Sequence, residues 1–365
     1  MDSTRLPTIA AYLRGLTFDG HAGAVVTRLD AEPVGVPDGA TLVIDILPED
    51  SADRLQERIS TAYEHHGKMS QEVPRSADIR LPDGSSVFFG IGSSIDQART
   101  PSSGPGRKRA TVSEQERAGS SLFLRRSDVV RGRISVVTGG AQGFGEGIVR
   151  SLVAGGSIVC IVDLNREGAN ALAEELNREQ GHTVAIPFGA NVADEDSVRS
   201  MVESIVLELG GFDLFISNAG VLKAGPVTEL SLKDFNFVTS VNYVGFFICS
   251  KHIAPILAIQ NRAAGGRYFS DIIQINSKSG LEGSNKNGAY AGSKFGGIGL
   301  VQSFALELVT DNIKVNAVCP GNFFEGPLWA DPDRGLFVQY LNAGKVPGAK
   351  TIADVKSFYE KKVPM

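Results

Sequence analysis

Cysteine is scarce, with three in 365 residues, at Cys160, Cys249 and Cys319. Positions so far apart fit neither a disulfide framework nor the close pairs of a zinc site or redox motif, so they read as buried thiols of a reducing cytoplasm. Histidine is nearly as sparse, with five. The adjacent His65 and His66 lack the helical-turn spacing or further donors that a metal wants, and no metal is expected. They close an expected helix, where a partial positive charge suits the dipole. No apolar run approaches the length of a membrane span, and MDSTRLPTIAAYLRG lacks a secretory-signal profile. Neither sign of charge is in great excess: the formal net of -5 gives no bulk attraction to nucleic acid or to an anionic bilayer.

The length nevertheless allows two domains, each with a core. Residues 1–95 carry the pattern of a small α+β domain of unassigned role. Expected there are a helix over Pro7 to Leu16 and strands over Ala24 to Leu29 and Thr41 to Leu47. A helix capped by Ser51, with Leu55, Ile59 and Tyr63 on one face, and a strand after the turn Pro82-Asp83-Gly84 complete it. Residues 96–130 change to Ser, Gly, Pro and Arg with no sustained period, the composition of a solvated linker. Its GRKRA run is diluted by Glu114, Glu116 and Asp128 and has no interleaved aromatics for base stacking, which argues against a nucleic-acid arm.

What is abundant is glycine, 42 residues. The informative cluster is ISVVTGGAQGFGEG, Ile134 to Gly147, a short buried strand followed by a glycine turn and a helix start. Gly139, Gly143 and Gly145, with Gln142 and Phe144 between them, let the backbone turn tightly. The free N–H groups and dipole of the helix that follows then suit a pyrophosphate. A second strand, Ser157 to Val162, ends on Asp163, whose carboxylate can accept both ribose hydroxyls of a dinucleotide but would repel a 2′-phosphate. Leu164, not arginine, comes next, so NAD is favoured over NADP; Arg166 alone argues the other way.

From 131 to 365 strands and helices alternate, the pattern of an α/β, Rossmann-like doubly wound parallel sheet. Further strands are expected over Thr183 to Pro187, Leu214 to Ser217, Asp271 to Asn276 and Lys314 to Val318. Residues just past strand ends line the ligand crevice of such sheets. Here they are Asn191-Val192, with an amide suited to an adenine edge, the compact Asn218-Ala219-Gly220, Ser277 to Gly280, and Pro320-Gly321. Tyr290 and Lys294 lie four apart in a helical segment and share a face. A phenol with a pKa near ~10 needs a neighbouring cation to act as a base at neutral pH, and lowering it by roughly three units takes about 4 kcal/mol. Lys294 and the cationic nicotinamide ring are expected to supply this.

Thr138-Gly139 with Gly143 and Gly145, Asp163, Asn218-Ala219-Gly220, Asn242, Ser277, Tyr290 with Lys294, and Pro320-Gly321 form an ordered set that resembles the short-chain dehydrogenase/reductase family. The resemblance runs from about residue 131 to the C-terminus. It implies that Tyr290 takes a proton from a substrate hydroxyl while hydride leaves its carbon for NAD, and that Ser277 holds the reacting oxygen. Lys294 would tune the tyrosine and bond the nicotinamide ribose, and Asn242 would support a water leading from Lys294 to solvent. The segments IIQINSKSG, AYAGSKFGGIGLVQSFALEL and PGNFFEGPLW resemble the branch acting on sorbitol 6-phosphate, and the last also the dehydrogenase half of rhamnulose-phosphate aldolase/dehydrogenases. A small polyol or sugar-phosphate substrate is implied. Lys223, Lys278 and Lys286 are candidates to receive the phosphate, although each alone reads as a solvated lysine.

The family pattern continues with another helix and strand where this chain ends in VPM. An open sheet edge at Lys314 to Val318 is therefore expected, unless the N-terminal unit or a partner covers it, and a homo-oligomer built in the usual way is in question. A non-catalytic dinucleotide-binding regulator is the alternative reading. A mere binder, however, has no need of a general base.

Overall fold

The computed structural model of the chain describes residues 5–70, 72–102, 107 and 129–362. The N-terminal part folds as α1 (Arg5–Leu16), β1 (Val25–Leu29), β2 (Thr41–Asp45), α2 (Ala52–Met69), β3 (Ser76–Arg80), β4 (Ser86–Gly92) and α3 (Ile95–Arg99). Its four strands pair in the order β1-β4-β3-β2, with β3 and β4 antiparallel and β2 parallel to β3. The sequence reading omits β3, because Asp78 and Arg80 mask the alternation of buried Ala77 and Ile79. Ser51 caps α2 by accepting from the Arg54 amide at 3.3 Å. Leu55, Ile59 and Tyr63 are buried on one face of this helix, and His66 continues their stripe into the core. His66 thus lies in the last turn of the helix, as expected for the pair, and is also buried. Ile95–Arg99 also departs from expectation: in place of linker it forms a helix capped by Ser94, with Ile95 and Ala98 buried. Most of the Arg-rich stretch lies outside the described residues. Arg107, which is described, donates to Asp19 at 2.6 Å and to the Ala22 carbonyl at 2.7 Å.

The remaining elements are β5 (Ile134–Thr138), α4 (Gly143–Ala154), β6 (Ile158–Asp163), α5 (Arg166–Gln180), β7 (Ala185–Gly189), α6 (Glu195–Leu209), β8 (Leu214–Ser217), α7 (Leu232–Thr239), α8 (Gly245–Ala263), β9 (Ser270–Ile275), α9 (Gly288–Leu308) and β10 (Ile313–Val318). Six parallel strands run in the order β7-β6-β5-β8-β9-β10. This is the Rossmann arrangement, and chain progress reverses between β5 and β8, which opens a crevice at their carboxyl ends. Val149, Leu172 and Leu176 pack on one sheet face; Ile205, Phe246 and Ile253 belong to the core on the other. Leu232–Ala263 does meet the length and composition of a membrane span, contrary to the sequence reading. The stretch spans α7, a π-helical turn and α8, and Phe246, Cys249, Ile253 and Leu257 of α8 are buried in the core. Cys160 and Cys249 are buried as expected, and burial raises both thiols, Cys249 to about 12. Cys319 is only partly covered, because it lies where β10 gives way to the crevice. Beyond β10, α10 (Pro327–Ala330), α11 (Leu336–Asn342) and α12 (Ile352–Glu360) gather Trp329, Phe337, Tyr340 and Val355 into a small aromatic cluster.

The two sheets are joined by a buried ion pair and by more exposed hydrogen bonds at the end of the parallel sheet opposite the crevice. Arg14 of α1 donates to Asp213 at 2.6 Å, and both side chains are almost wholly buried, at 1% and 0% exposure. The same carboxylate oxygen accepts the Ile134 amide at 2.7 Å, so one ion pair anchors α1 to the start of β5. Thr27 donates to the Glu208 carbonyl at 2.7 Å and Thr183 to Asp96 at 2.7 Å. The N-terminal unit thus packs on α6 and α8, while β10 pairs with β9 alone among the described residues.

Candidate active site

The glycine turn after β5 is stitched to the end of β8. Thr138 Oγ1 accepts the amides of Asn218 and Ala219 at 3.0 and 3.1 Å, and Asn218 Nδ2 donates to the carbonyls of Thr138 and Gly139 at 3.0 and 2.9 Å. The Asn218 amide is thereby consumed in holding the turn. Gly143 sits at φ 58°, the left-handed region. A Cβ on Gly145 would stand 1.9 Å from the Gly139 carbonyl oxygen, so only glycine permits this approach. Asp163, ending β6, accepts the Ala141 amide at 3.0 Å and the Asn165 amide at 2.9 Å. Asn191 Oδ1 accepts the Ala193 amide at 3.1 Å, which leaves Nδ2 as the part of that side chain able to meet an adenine edge. Gly139, Gln142, Gly143, Phe144, Gly145, Asp163, Asn191, Val192, Asn218, Ala219, Gly220, Pro320 and Gly321 all line one cavity of about 960 Å³. Ser277, Tyr290 and Lys294 line it too. At its rim the rings of Phe144 and Phe323 meet at 5.0 Å.

Asn242 stands behind this wall. It lies in the π-helical turn Ser240–Val244 between α7 and α8, an irregularity of a kind frequent at functional sites. Its Oδ1 accepts the Val221 amide at 2.8 Å, and its Nδ2 donates to the Val221 carbonyl at 2.9 Å and to Ser293 at 3.1 Å. A Cβ on Gly220 would lie 3.5 Å from Asn242 Oδ1 and 3.9 Å from Lys294 Nζ, so the two side chains converge on one spot. Lys294 Nζ donates to the Ile275 carbonyl at 2.9 Å and sits 5.6 Å from the Tyr290 ring centre. Asn276 ties these parts together, accepting the Ser277 amide at 2.8 Å and donating to the Lys294 carbonyl at 3.0 Å.

Residues 133–329 match the family model of the short chain dehydrogenases. The chain belongs to that family. It is 36% identical over 237 residues to sorbitol-6-phosphate 2-dehydrogenase of Escherichia coli, covering 64% of this chain and 85% of that protein. It is 31% identical over 189 residues to a D-threitol dehydrogenase of Mycolicibacterium smegmatis, covering 52% of this chain and 69% of that one. The crystal structure of sorbitol-6-phosphate 2-dehydrogenase from Erwinia amylovora superposes with a TM-score of 0.57 at 36% identity, over 63% of this chain and 84% of that chain. An NAD+-bound xylitol dehydrogenase does so with a TM-score of 0.57 at 27% identity, over 65% of this chain and 86% of that chain.

In this short-chain dehydrogenase the protein around Tyr290 raises its phenol above the ordinary value, and a hydrogen bond with Ser277 opposes the rise. Lys294 is not among the causes of that shift, and burial pushes its own ammonium down to about 8. With Tyr290 as the acid–base group, alcohol oxidation would draw on the phenolate and its rate should climb with pH, whereas carbonyl reduction would draw on the phenol and should fall. Ser277→Ala removes the one interaction that lowers the phenol, and the rising limb of the oxidation profile should move to higher pH. A pH–rate series on the two proteins checks this; an unmoved or downward-shifted limb would contradict it.

The substrate end of the cavity was only loosely marked by sequence. Leu222, Trp329, Leu336 and Tyr340 also line the cavity, and Asn287 and Arg334 are among the polar groups on its wall that no motif singled out. Of the three lysine candidates, Lys223 and Lys278 are exposed and none lines the cavity. Lys286 Nζ is engaged by the carbonyls of Ala343 and Gly344 at 2.6 and 3.0 Å.

Proposed function

We propose that this chain oxidises a secondary hydroxyl of a polyol phosphate or sugar phosphate with NAD. The observation that carries the reading is the convergence of Ser277, Tyr290 and Lys294 on the cavity that begins at the glycine turn. A dinucleotide suits the residues present: the turn leaves no room for a Cβ at Gly145, and Asp163 lines the same cavity at the end of β6, where an acidic residue of such folds would meet a ribose and repel a 2′-phosphate. When bound, NAD supplies the hydride acceptor. The chain's own residues handle the proton and the orientation. Ser277 holds the substrate oxygen, and Tyr290 as phenolate takes the hydroxyl proton as the carbonyl forms. Lys294, fixed by the Ile275 carbonyl, has further N–H donors for the ribose hydroxyls. Asn242 keeps the Val221 backbone in place beside it.

Phosphate recognition rests on Arg334, the cation besides Lys294 on the cavity wall among the described residues. Its side chain is 86% exposed, and its nearest carboxylate, Asp331, is 3.8 Å away, so its N–H groups are open to an anion. Arg334→Gln should raise KM for sorbitol 6-phosphate about 10-fold, the effect of one exposed charge-assisted contact, and leave KM for sorbitol unchanged. NADH formation with the two substrates tests this. Equal rates on both with the unmodified chain would remove the phosphate from the reading.

A further inference from the structure

Asn287 occupies the cap position at the start of α9, and asparagine is among the best residues there because its side chain can accept from the helix N–H groups. Here it does not. No side-chain cap bond forms, and the amide of this 1% exposed residue has only a 3.5 Å contact from Nδ2 to Ser284 Oγ. Its Oδ1 is buried without a partner, although the residue lines the catalytic cavity. Turning the amide over merely exchanges which of its two polar atoms is left. A buried amide that gives up its cap and gains only one long contact, its oxygen left unpaired, is costly, and such a group calls for a partner from outside the chain. Asn287, Tyr290 and Lys294 follow at i, i+3 and i+7, one stripe at the head of the helix. The orphan atom therefore stands one turn ahead of the base.

We propose that Asn287 is a substrate-positioning residue that hydrogen-bonds a hydroxyl on the carbon next to the one being oxidised, so that the enzyme selects vicinal diols over isolated secondary alcohols. This rests on the dehydrogenase reading above. A neighbouring hydroxyl can both donate to Oδ1 and, with the amide turned, accept from Nδ2, so either orientation finds its match. A lone alcohol leaves the amide unpaired in the closed site, and that difference is the source of selectivity.

The test measures kcat/KM with NAD for sorbitol 6-phosphate, a vicinal cyclohexanediol and cyclohexanol, using the unmodified chain, Asn287→Ala and the similarly sized Asn287→Leu. The unmodified chain should favour the diols over cyclohexanol, and the variants should lose about 10- to 100-fold on the diols with little change on cyclohexanol. Their melting temperatures should stay level or rise, since an unpaired buried amide has been removed; a purely structural role would lower them. Equal losses on all three alcohols, or an unchanged preference, would overturn the proposal and leave the dehydrogenase reading standing. Absence of NADH from every alcohol with the unmodified chain would remove that reading, and the proposal with it.

Discussion

Tyr290→Phe should lower kcat for alcohol oxidation by about 10²- to 10⁴-fold, the range by which a positioned acid–base group accelerates proton transfer. The phenyl ring keeps its place among Ala224, Phe324 and the aromatic cluster beyond β10, so the fold loses one hydroxyl and nothing else. Cofactor affinity, followed by nicotinamide fluorescence, should hardly change, because the glycine turn, Asp163 and Lys294 are untouched. A variant that oxidises alcohol at the original rate would show that the proton leaves by another route.

The second large effect lies at the opposite end of the sheet. Arg14→Ala leaves the Asp213 carboxylate buried without its ion-pair partner, a change that costs about 3–5 kcal/mol. The consequence spreads, because the same carboxylate oxygen holds the Ile134 amide at the start of the strand that leads into the glycine turn. Arg14 also donates to the Gly23 and Ala24 carbonyls at 3.1 and 2.6 Å, so the loop before β1 loosens as well. Urea unfolding should show the midpoint displaced with the parallel sheet and the N-terminal unit both affected. Replacing Arg14 and Asp213 together by apolar residues should be milder than Arg14→Ala alone, since no charge is then stranded. A neutral Arg14→Ala would mean that the two parts of the chain do not depend on this contact.

How far sequence carried the account follows from which forces are local. The strand, glycine turn and helix from Ile134 onward are written in steric necessity: Gly145 admits no Cβ and Gly143 adopts a left-handed φ. Helical spacing puts Tyr290 and Lys294 on one face, but such a pair is common on any helix, and the ordered motifs around it are what single it out. Asn287 is one turn further back on the same stripe, but an asparagine before a helix reads as a cap, and only the tertiary arrangement reveals that its side chain does not cap. The strand expected over Thr183 to Pro187 begins two residues late, at Ala185. The Asn177 side chain takes the amides of Val184 and Ala185 at 2.8 Å, a bond from a helix that no local pattern announces. Pro187 survives in that strand because β7 is at the sheet edge, where a missing N–H need not break a ladder. The contact between the N-terminal unit and the sheet was invisible for a similar reason: Arg14 reads as a surface residue on a helix until Asp213 is brought to it from 199 positions away.

Under the proposed function, hydride leaves the carbinol carbon of a secondary alcohol for NAD while Tyr290 carries off the proton. Supplying sorbitol 6-phosphate deuterated at that carbon and weighing the reduced nicotinamide by mass spectrometry tests it directly. Deuterium carried into the NADH by the unmodified chain, and scarcely any NADH from Tyr290→Phe in the same time, is the predicted result. Unlabelled NADH, or equal labelled yields from both proteins, would contradict it.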